Sequence, residues 1–221
     1  MSKNILKEKN FLKLEKEIKT SENLLLFLDY DGTLSHFKKD PKAAHPVKGI
    51  KEVIDQLSKL SFVKIAIISG RSLTDLKDMI KLDNIYYAGL HGLEMKDYTP
   101  QNLSRKEIQH YINMIKESYS KEIKNDQIYL EDKKYVLSIH YRDDYKNIDN
   151  LKLFITNLIN KNKYEVMKGR KILEIRPKNW NKGKAVKMIR KNSFENNNPL
   201  EIYIGDDTTD EDAFSVINGL S

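Results

Sequence analysis

The sequence predicts an α/β fold: a mainly parallel sheet flanked by helices, with a smaller α+β cap domain inserted into it. Three observations point that way. The segments Leu24–Leu28, Lys64–Ile68 and Ile202–Ile204 read as buried strands, and each delivers polar residues where it ends. Stretches with helical spacing of apolar residues separate them, as parallel neighbours require a crossover. From about residue 97 to 171 the rhythm changes to helix, two strands, helix, two strands.

Taken in order, Ile5, Leu6, Leu12, Leu14 and Ile18 place an amphipathic helix over residues 5–20, ahead of the first strand. Val47 to Leu60 forms the crossover helix to the strand at 64–68, and Leu73, Leu76 and Ile80 mark the next helix. Ile85 to Ala88 gives a third strand. The insertion reads as helix 104–120, strands 127–131 and 135–141, helix 146–161, and strands 164–168 and 171–176, which makes two helices on an antiparallel sheet. The core resumes with helix 181–191, carrying Ala185, Val186 and Ile189, then strand 200–205 and helix 209–217. The expected domains are a core of residues 1–96 with 172–221 and a cap of residues 97–171.

Composition excludes several functions. There is no cysteine, so disulfides and thiolate chemistry are absent. No apolar stretch approaches the ~20 residues a membrane helix needs, and residues 1–23 are too charged for a signal peptide. The net charge of +7 comes from lysines spread along the chain among 32 acids, which reads as solvated surface. No basic stripe with interleaved aromatics suggests nucleic acid. A cytoplasmic monomer without membrane or nucleic-acid partners is expected.

The chemistry concentrates at strand ends. Asp29 and Asp31 leave the first strand two residues apart, on one side of an extended chain, so both reach the same bound atom. A polar turn is the bland explanation; a divalent cation with a phosphate is the sharper one. Ser69-Gly70-Arg71 follows the second strand at a helix N-terminus, where dipole and free N–H groups favour an anion, although an ordinary serine cap has the same look. Asn181-Lys182-Gly183-Lys184 opens a helix and can aim an ammonium at a phosphoryl oxygen. Gly205 to Asp212 delivers five acids within seven residues, and such clusters hold hard cations through oxygen. In open α/β sheets this carboxyl edge is where ligands bind, so four distant segments converge on one crevice.

Asp29-Tyr30-Asp31-Gly32-Thr33, Ser69, Lys182 and the acidic segment, in that order, resemble the four motifs of the haloacid dehalogenase superfamily. The finer resemblance is to trehalose-6-phosphate phosphatases. It rests on Leu28 to Leu34, Ile68 to Arg71, Gly89-Leu90-His91-Gly92-Leu93-Glu94, Asn181-Lys182-Gly183 and Gly205 to Phe214. Leu130 to Lys133, His140-Tyr141-Arg142 and Leu173 to Pro177 look like that family's cap motifs. The resemblance covers about Leu24 to Phe214 and implies a Rossmann-like core with a sugar-reading cap.

It also implies roles. Asp29 would be the nucleophile of an aspartyl-phosphate route, and Asp31 the acid for the leaving sugar oxygen and then the base for water. Mg²⁺ would be held by Asp29, the backbone carbonyl of Asp31 and Asp206, with Asp207 and Asp210 as supporting acids. Ser69, Gly70 and Lys182 would stabilise the phosphoryl oxygens. His91, Glu94, Glu131, Lys133, Arg142, Arg170, Glu174 and Arg176 would contact the sugar phosphate substrate.

Two departures stand out. The family pattern has a lysine where Arg170 stands, and it continues with a further strand after the acidic helix, so a shortened chain or a minimal core is expected. The competing readings are a phosphatase or mutase for another sugar phosphate (sucrose phosphate, mannosyl-phosphoglycerate or phosphomannose) and a non-catalytic sugar-binding homologue.

Overall fold

A computed structural model describes residues 8–38, 43–96, 103–169, 171–194 and 198–218. The chain divides into two compact units, Met1–Tyr98 with Asn181–Ser221, and Thr99–Trp180.

The first unit is built on a five-stranded sheet. Its strands are β1 (Leu24–Leu28), β2 (Val63–Ile68), β3 (Tyr86–Gly89), β4 (Glu94–Met95) and β9 (Leu200–Ile204), in the order β4-β3-β2-β1-β9. All neighbours are parallel except β4 on β3. The five-residue apolar run of β1 is wholly flanked, since Leu28 lies opposite Ile67 on one side and Ile204 on the other. Alternation sends successive side chains to opposite faces. On one face Leu24, Leu28, Ile65 and Ile67 pack with Ile54, Leu76 and Ile80, from α2 (Ile50–Ser58) and α3 (Leu73–Ile80). On the other, Leu25, Phe27, Ala66, Ile68 and Tyr203 pack with Ala185, Val186 and Ile189 of α7 (Lys182–Ser193) and Ala213 of α8 (Glu211–Phe214). An amphipathic α1 (Glu8–Thr20) precedes the sheet, and Leu14 and Ile18 pack on its first core.

The second unit is a four-stranded antiparallel sheet. Its strands are β5 (Ile128–Lys133), β6 (Val136–Tyr141), β7 (Tyr164–Gly169) and β8 (Ile172–Pro177), in the order β5-β6-β8-β7. One face packs Leu137, Ile139, Leu173 and Ile175 against Ile108, Ile112 and Ile115 of α4 (Arg105–Ser118) and Leu151 and Ile155 of α6 (Ile148–Leu158). A short α5 (Ser120–Lys124) joins α4 to β5. The other face carries the polar alternates, with Glu131 opposite Ser138 and Ser138 opposite Glu174.

Three boundaries differ from the sequence expectation. The second unit runs to Trp180 rather than 171, because β8 hydrogen-bonds to β6 and β7 and so belongs to their sheet. The two-residue β4 carries no periodicity to read. The helix expected over 209–217 starts as a tight 3₁₀ turn at Thr208–Asp210 and ends as α8 at Phe214. Ile5, Leu6 and Arg170 lie outside the described residues.

Candidate active site

The parallel register brings the ends of β1, β2 and β9 to one edge of the sheet, and the polar segments follow from there. Asp29 continues β1 by donating its N–H to the Ile204 carbonyl at 2.9 Å. Its side chain is buried, and Oδ1 accepts from Lys182 Nζ at 2.6 Å. Lys182 is the first residue of α7, whose cap is Asn181: the asparagine Oδ1 accepts from the Lys184 N–H at 3.0 Å. The same Nζ donates to Asp210 Oδ1 at 2.7 Å. A buried ammonium therefore sits between two buried carboxylates, an arrangement tolerated only when each charge is paired and hydrogen-bonded.

Asp210 accepts from three donors. Besides Lys182, its Oδ1 accepts from the Tyr203 hydroxyl at 2.6 Å, and its Oδ2 accepts from the Asp207 N–H at 3.0 Å. Asp206, exposed at the end of β9, brings a third carboxylate to within 4.8 Å of those of Asp29 and Asp210. Gly32 makes room for it. A Cβ at Gly32 would lie 2.1 Å from Asp206 Oδ2, and the φ of +94° is itself one that glycine adopts without strain.

The electrostatics are those of crowded acids. Burial pushes the Asp29 carboxyl up to about 6, against the attraction of Lys182. Asp206 is also raised, by partial burial and then by Asp210 and Asp207. For Asp210 burial acts in the same direction, yet hydrogen bonds from Lys182 and Tyr203 pull it below its ordinary value. Burial, and then Asp210, raise the Tyr203 phenol, so it remains a donor. Three carboxylates close together, Asp29 past β1 and Asp206 and Asp210 past β9, make an acidic setting suited to a divalent cation, and burial, foremost, raises the pKa of Asp29 and Asp206.

The remaining core residues take varied places. Asp31 is held by Arg71, whose Nε and Nη2 donate to its two carboxylate oxygens at 2.7 and 2.6 Å. Arg71 in turn lies over the buried Tyr30 ring, 5.0 Å from its centroid. Ser69 is buried, and its Oγ accepts from the Arg71 N–H at 3.2 Å. It does not cap α3. That cap is Ser72, whose side chain accepts from the Asp75 N–H. His91 and Leu90 both have positive φ, and their N–H groups bond the Ser69 and Arg71 carbonyls at 2.8 and 2.7 Å. This strained turn sets the imidazole against Gly70, where an added Cβ would be 3.0 Å from the ring.

Two core residues differ from expectation. Glu94, expected on the sugar, accepts from the Leu73 N–H at 2.9 Å and serves the first turn of α3. Asp207 is absent from the carboxylate cluster among the described residues; its side chain caps the 208–210 turn by accepting from the Thr208 N–H at 2.6 Å.

In the second unit, Glu131, Lys133 and Glu174 gather on the open sheet face. Lys133 Nζ lies 3.5 Å from Glu131 and 3.6 Å from Glu174. His140 Nε2 meets Glu131 at 2.8 Å, and Ser138 donates to Glu174 at 2.7 Å. The His140 bond, foremost, keeps the Glu131 carboxyl below its ordinary value. Arg176 pairs with Glu165 at 2.9 Å, and the exposed Arg142 with Asp144 at 3.4 Å.

Comparison with known proteins settles the lineage. A family profile for trehalose-phosphatase matches residues 27–221. The chain belongs to the trehalose-phosphatase family. It is 35% identical over 215 residues to the probable trehalose-phosphate phosphatase C of Arabidopsis thaliana, covering 89% of this chain and 65% of that one. The chain spans about three fifths of the length of such curated relatives. Its structure is similar to that of the C. albicans trehalose-6-phosphate phosphatase C-terminal domain, with TM-score 0.71, 28% identity, and coverage of 94% of this chain and 78% of that one. The fold alone is shared with a haloacid dehalogenase-like hydrolase from Bacteroides thetaiotaomicron, at 14% identity and TM-score 0.63 over 88% of this chain and 86% of that one. Among the described residues no helix is long and apolar enough to cross a membrane.

Sequence reasoning located Asp29, Lys182, Asp206 and Asp210, which this family member brings together. It missed two partners. Arg71 enters the sequence reading only within Ser69-Gly70-Arg71 and Tyr203 only as a strand residue; no spacing pattern signals a bond to an acid 40 positions back or from a strand tyrosine to an acid seven positions on.

Proposed function

We propose that the chain hydrolyses trehalose 6-phosphate to trehalose and phosphate, with Mg²⁺ as cofactor, through a phosphorylated Asp29. The observation that supports this most is the Lys182 ammonium bonded to both Asp29 and Asp210 at the carboxyl edge of the sheet. An ammonium has three donors, and two are engaged, so one remains for a phosphoryl oxygen. Membership of the trehalose-phosphatase family supports the substrate.

In the proposed reaction an Asp29 oxygen attacks phosphorus while the bond from phosphorus to the sugar oxygen breaks. Asp31 gives its proton to that leaving oxygen. Asp31, now a carboxylate, takes a proton from water as the water oxygen attacks phosphorus, and the bond to Asp29 breaks to release phosphate. For either transfer one Asp31 oxygen must leave Arg71, which holds both. Lys182, the Ser69 hydroxyl and the Gly70 N–H bear the charge that gathers on the phosphoryl oxygens. Asp29, Asp206 and the Asp31 carbonyl would hold Mg²⁺, which when bound supplies positive charge against the acids and the phosphate dianion. Asp210, engaged by three donors, is a holder of Lys182 rather than a metal ligand. Glu131, Lys133 and Glu174 are proposed to read sugar hydroxyls, their charges already organised on one sheet face.

The test is phosphate release from a panel of sugar phosphates and p-nitrophenyl phosphate, with Mg²⁺ and with chelator. The expected result is Mg²⁺-dependent release with trehalose 6-phosphate preferred. Preference for another sugar phosphate would overturn the substrate, and undiminished activity in chelator the cofactor.

A further inference from the structure

We propose that Tyr203 is a positioning residue for phosphoryl transfer, its hydroxyl fixing Asp210 and, through Asp210, the Lys182 ammonium. This rests on the phosphatase reading above. Tyr203 sits on β9 directly opposite Phe27 of β1. Its ring is 2% exposed, lies 6.2 Å from Phe27 in a stacked arrangement, and meets the edge of Phe214 at 5.4 Å. From its place on β9 the ring delivers its hydroxyl to Asp210 Oδ1 at 2.6 Å.

A phenylalanine would satisfy the packing equally well. A buried hydroxyl costs free energy unless bonded, and its partner is a carboxylate, the stronger kind of acceptor. The oxygen it bonds is the one that also accepts from Lys182. Asp210 Oδ2 is pinned by the Asp207 N–H. Removing the phenol frees one side of the carboxylate and concentrates the remaining negative charge of Oδ1 on Lys182. The ammonium is then drawn toward Asp210 and away from Asp29, the group beside which the phosphoryl oxygens must be met. Asp210 alone does not hold this balance, because it has no other neutral donor on Oδ1 among the described residues.

The experiment uses the full chain with Tyr203→Phe and, as a packing control, Phe214→Leu, which disturbs the same ring but no polar bond. For Tyr203→Phe, kcat is expected to fall about ten- to hundredfold, the scale of a misplaced catalytic group. The fall should be equal on trehalose 6-phosphate and p-nitrophenyl phosphate, with KM little changed, since the effect lies at phosphorus and not at the sugar. Phe214→Leu should keep its kcat. Wild-type kcat in Tyr203→Phe, or an equal fall in Phe214→Leu, overturns the proposal. A second readout needs no turnover: labelling of Lys182 by an amine-reactive reagent, followed by mass spectrometry. Its rate should fall in Tyr203→Phe, where Asp210 holds the ammonium more tightly and keeps it protonated, and not in Phe214→Leu. Unchanged labelling also refutes the positioning role. Absence of turnover in the wild type would instead sink the phosphatase reading, while labelling still reports whether Tyr203 holds Lys182.

Discussion

Replacing Asp29 with asparagine is expected to abolish turnover while stabilising the metal-free protein. The amide keeps the shape of the side chain but cannot attack phosphorus, so phosphate release should drop by about four orders of magnitude or more, as when a nucleophile is removed. The stability gain follows from the folded-state acidity. Burial lifts the Asp29 carboxyl from the ordinary 3.8 to about 6 even with Lys182 beside it. The folded chain thus holds this proton more tightly than the unfolded chain. Its favourable contribution is present in full below 3.8 and is lost as the pH rises through 6. The loss amounts to about 3 kcal/mol at a ceiling, from roughly two pKa units at 1.36 kcal/mol each. Asparagine is neutral throughout and escapes it. Guanidinium unfolding in chelator should therefore show the variant more stable than wild type at about pH 8, with the difference shrinking toward about pH 4. A variant less stable at about pH 8, or a difference that ignores pH, would refute the argument that an uncomfortable charge is kept for chemistry.

Three further outcomes are expected. Gly32→Ala forces a side chain to within 2.1 Å of Asp206 Oδ2 at a φ of +94°, so the Mg²⁺ concentration for half-maximal activity should rise at least about tenfold, the effect of losing roughly 1.4 kcal/mol of binding; an unchanged Mg²⁺ dependence would remove Asp206 from the metal site. Glu131→Ala or Glu174→Ala should depress activity on trehalose 6-phosphate by about one to two orders of magnitude relative to p-nitrophenyl phosphate, whereas equal losses on both would mark these acids as mere braces for Lys133, Ser138 and His140. Arg190→Ala strips the guanidinium from Glu201, a carboxylate only 1% exposed, and should cost about 3–5 kcal/mol of stability by thermal or denaturant unfolding; a loss under about 1 kcal/mol would show the pair to be solvent-screened.

The sequence made the strands legible because β1, β2 and β9 are mostly buried and so read as apolar runs, broken only by Lys64 in β2 and Glu201 in β9. Asp29, Lys182 and Asp206 were legible for the related reason that each lies just past a strand or at a helix start, where side chains are free to face a ligand. What stayed hidden depends on contacts that no periodicity or motif encodes. The Arg71 fork on Asp31 spans 40 positions, and Tyr203 looked like any core aromatic until its hydroxyl met Asp210. For Glu94 the sequence shows a glutamate beside a histidine-glycine turn and not its backbone partner. Its actual partner, the Leu73 N–H, lies 21 positions earlier. The cap made by Asp207 is equally hidden: in a run of acids, nothing local separates the one that turns inward from the one that caps the turn.

The strands that frame Asp29 lie far apart in the sequence, β1 at Leu24–Leu28 and β9 at Leu200–Ile204. A ribosome delivers them in that order. Through most of synthesis β1 stands with one edge uncovered and Asp29 has no ammonium to face, while the second unit, all of whose strand partners lie within residues 99–180, can already close on itself. The Asp29–Lys182 pair thus forms only after residues 99–180 have emerged. A nascent chain interrupted before Lys182 would carry a folded antiparallel domain and an open, sticky sheet, a species for chaperones and proteases.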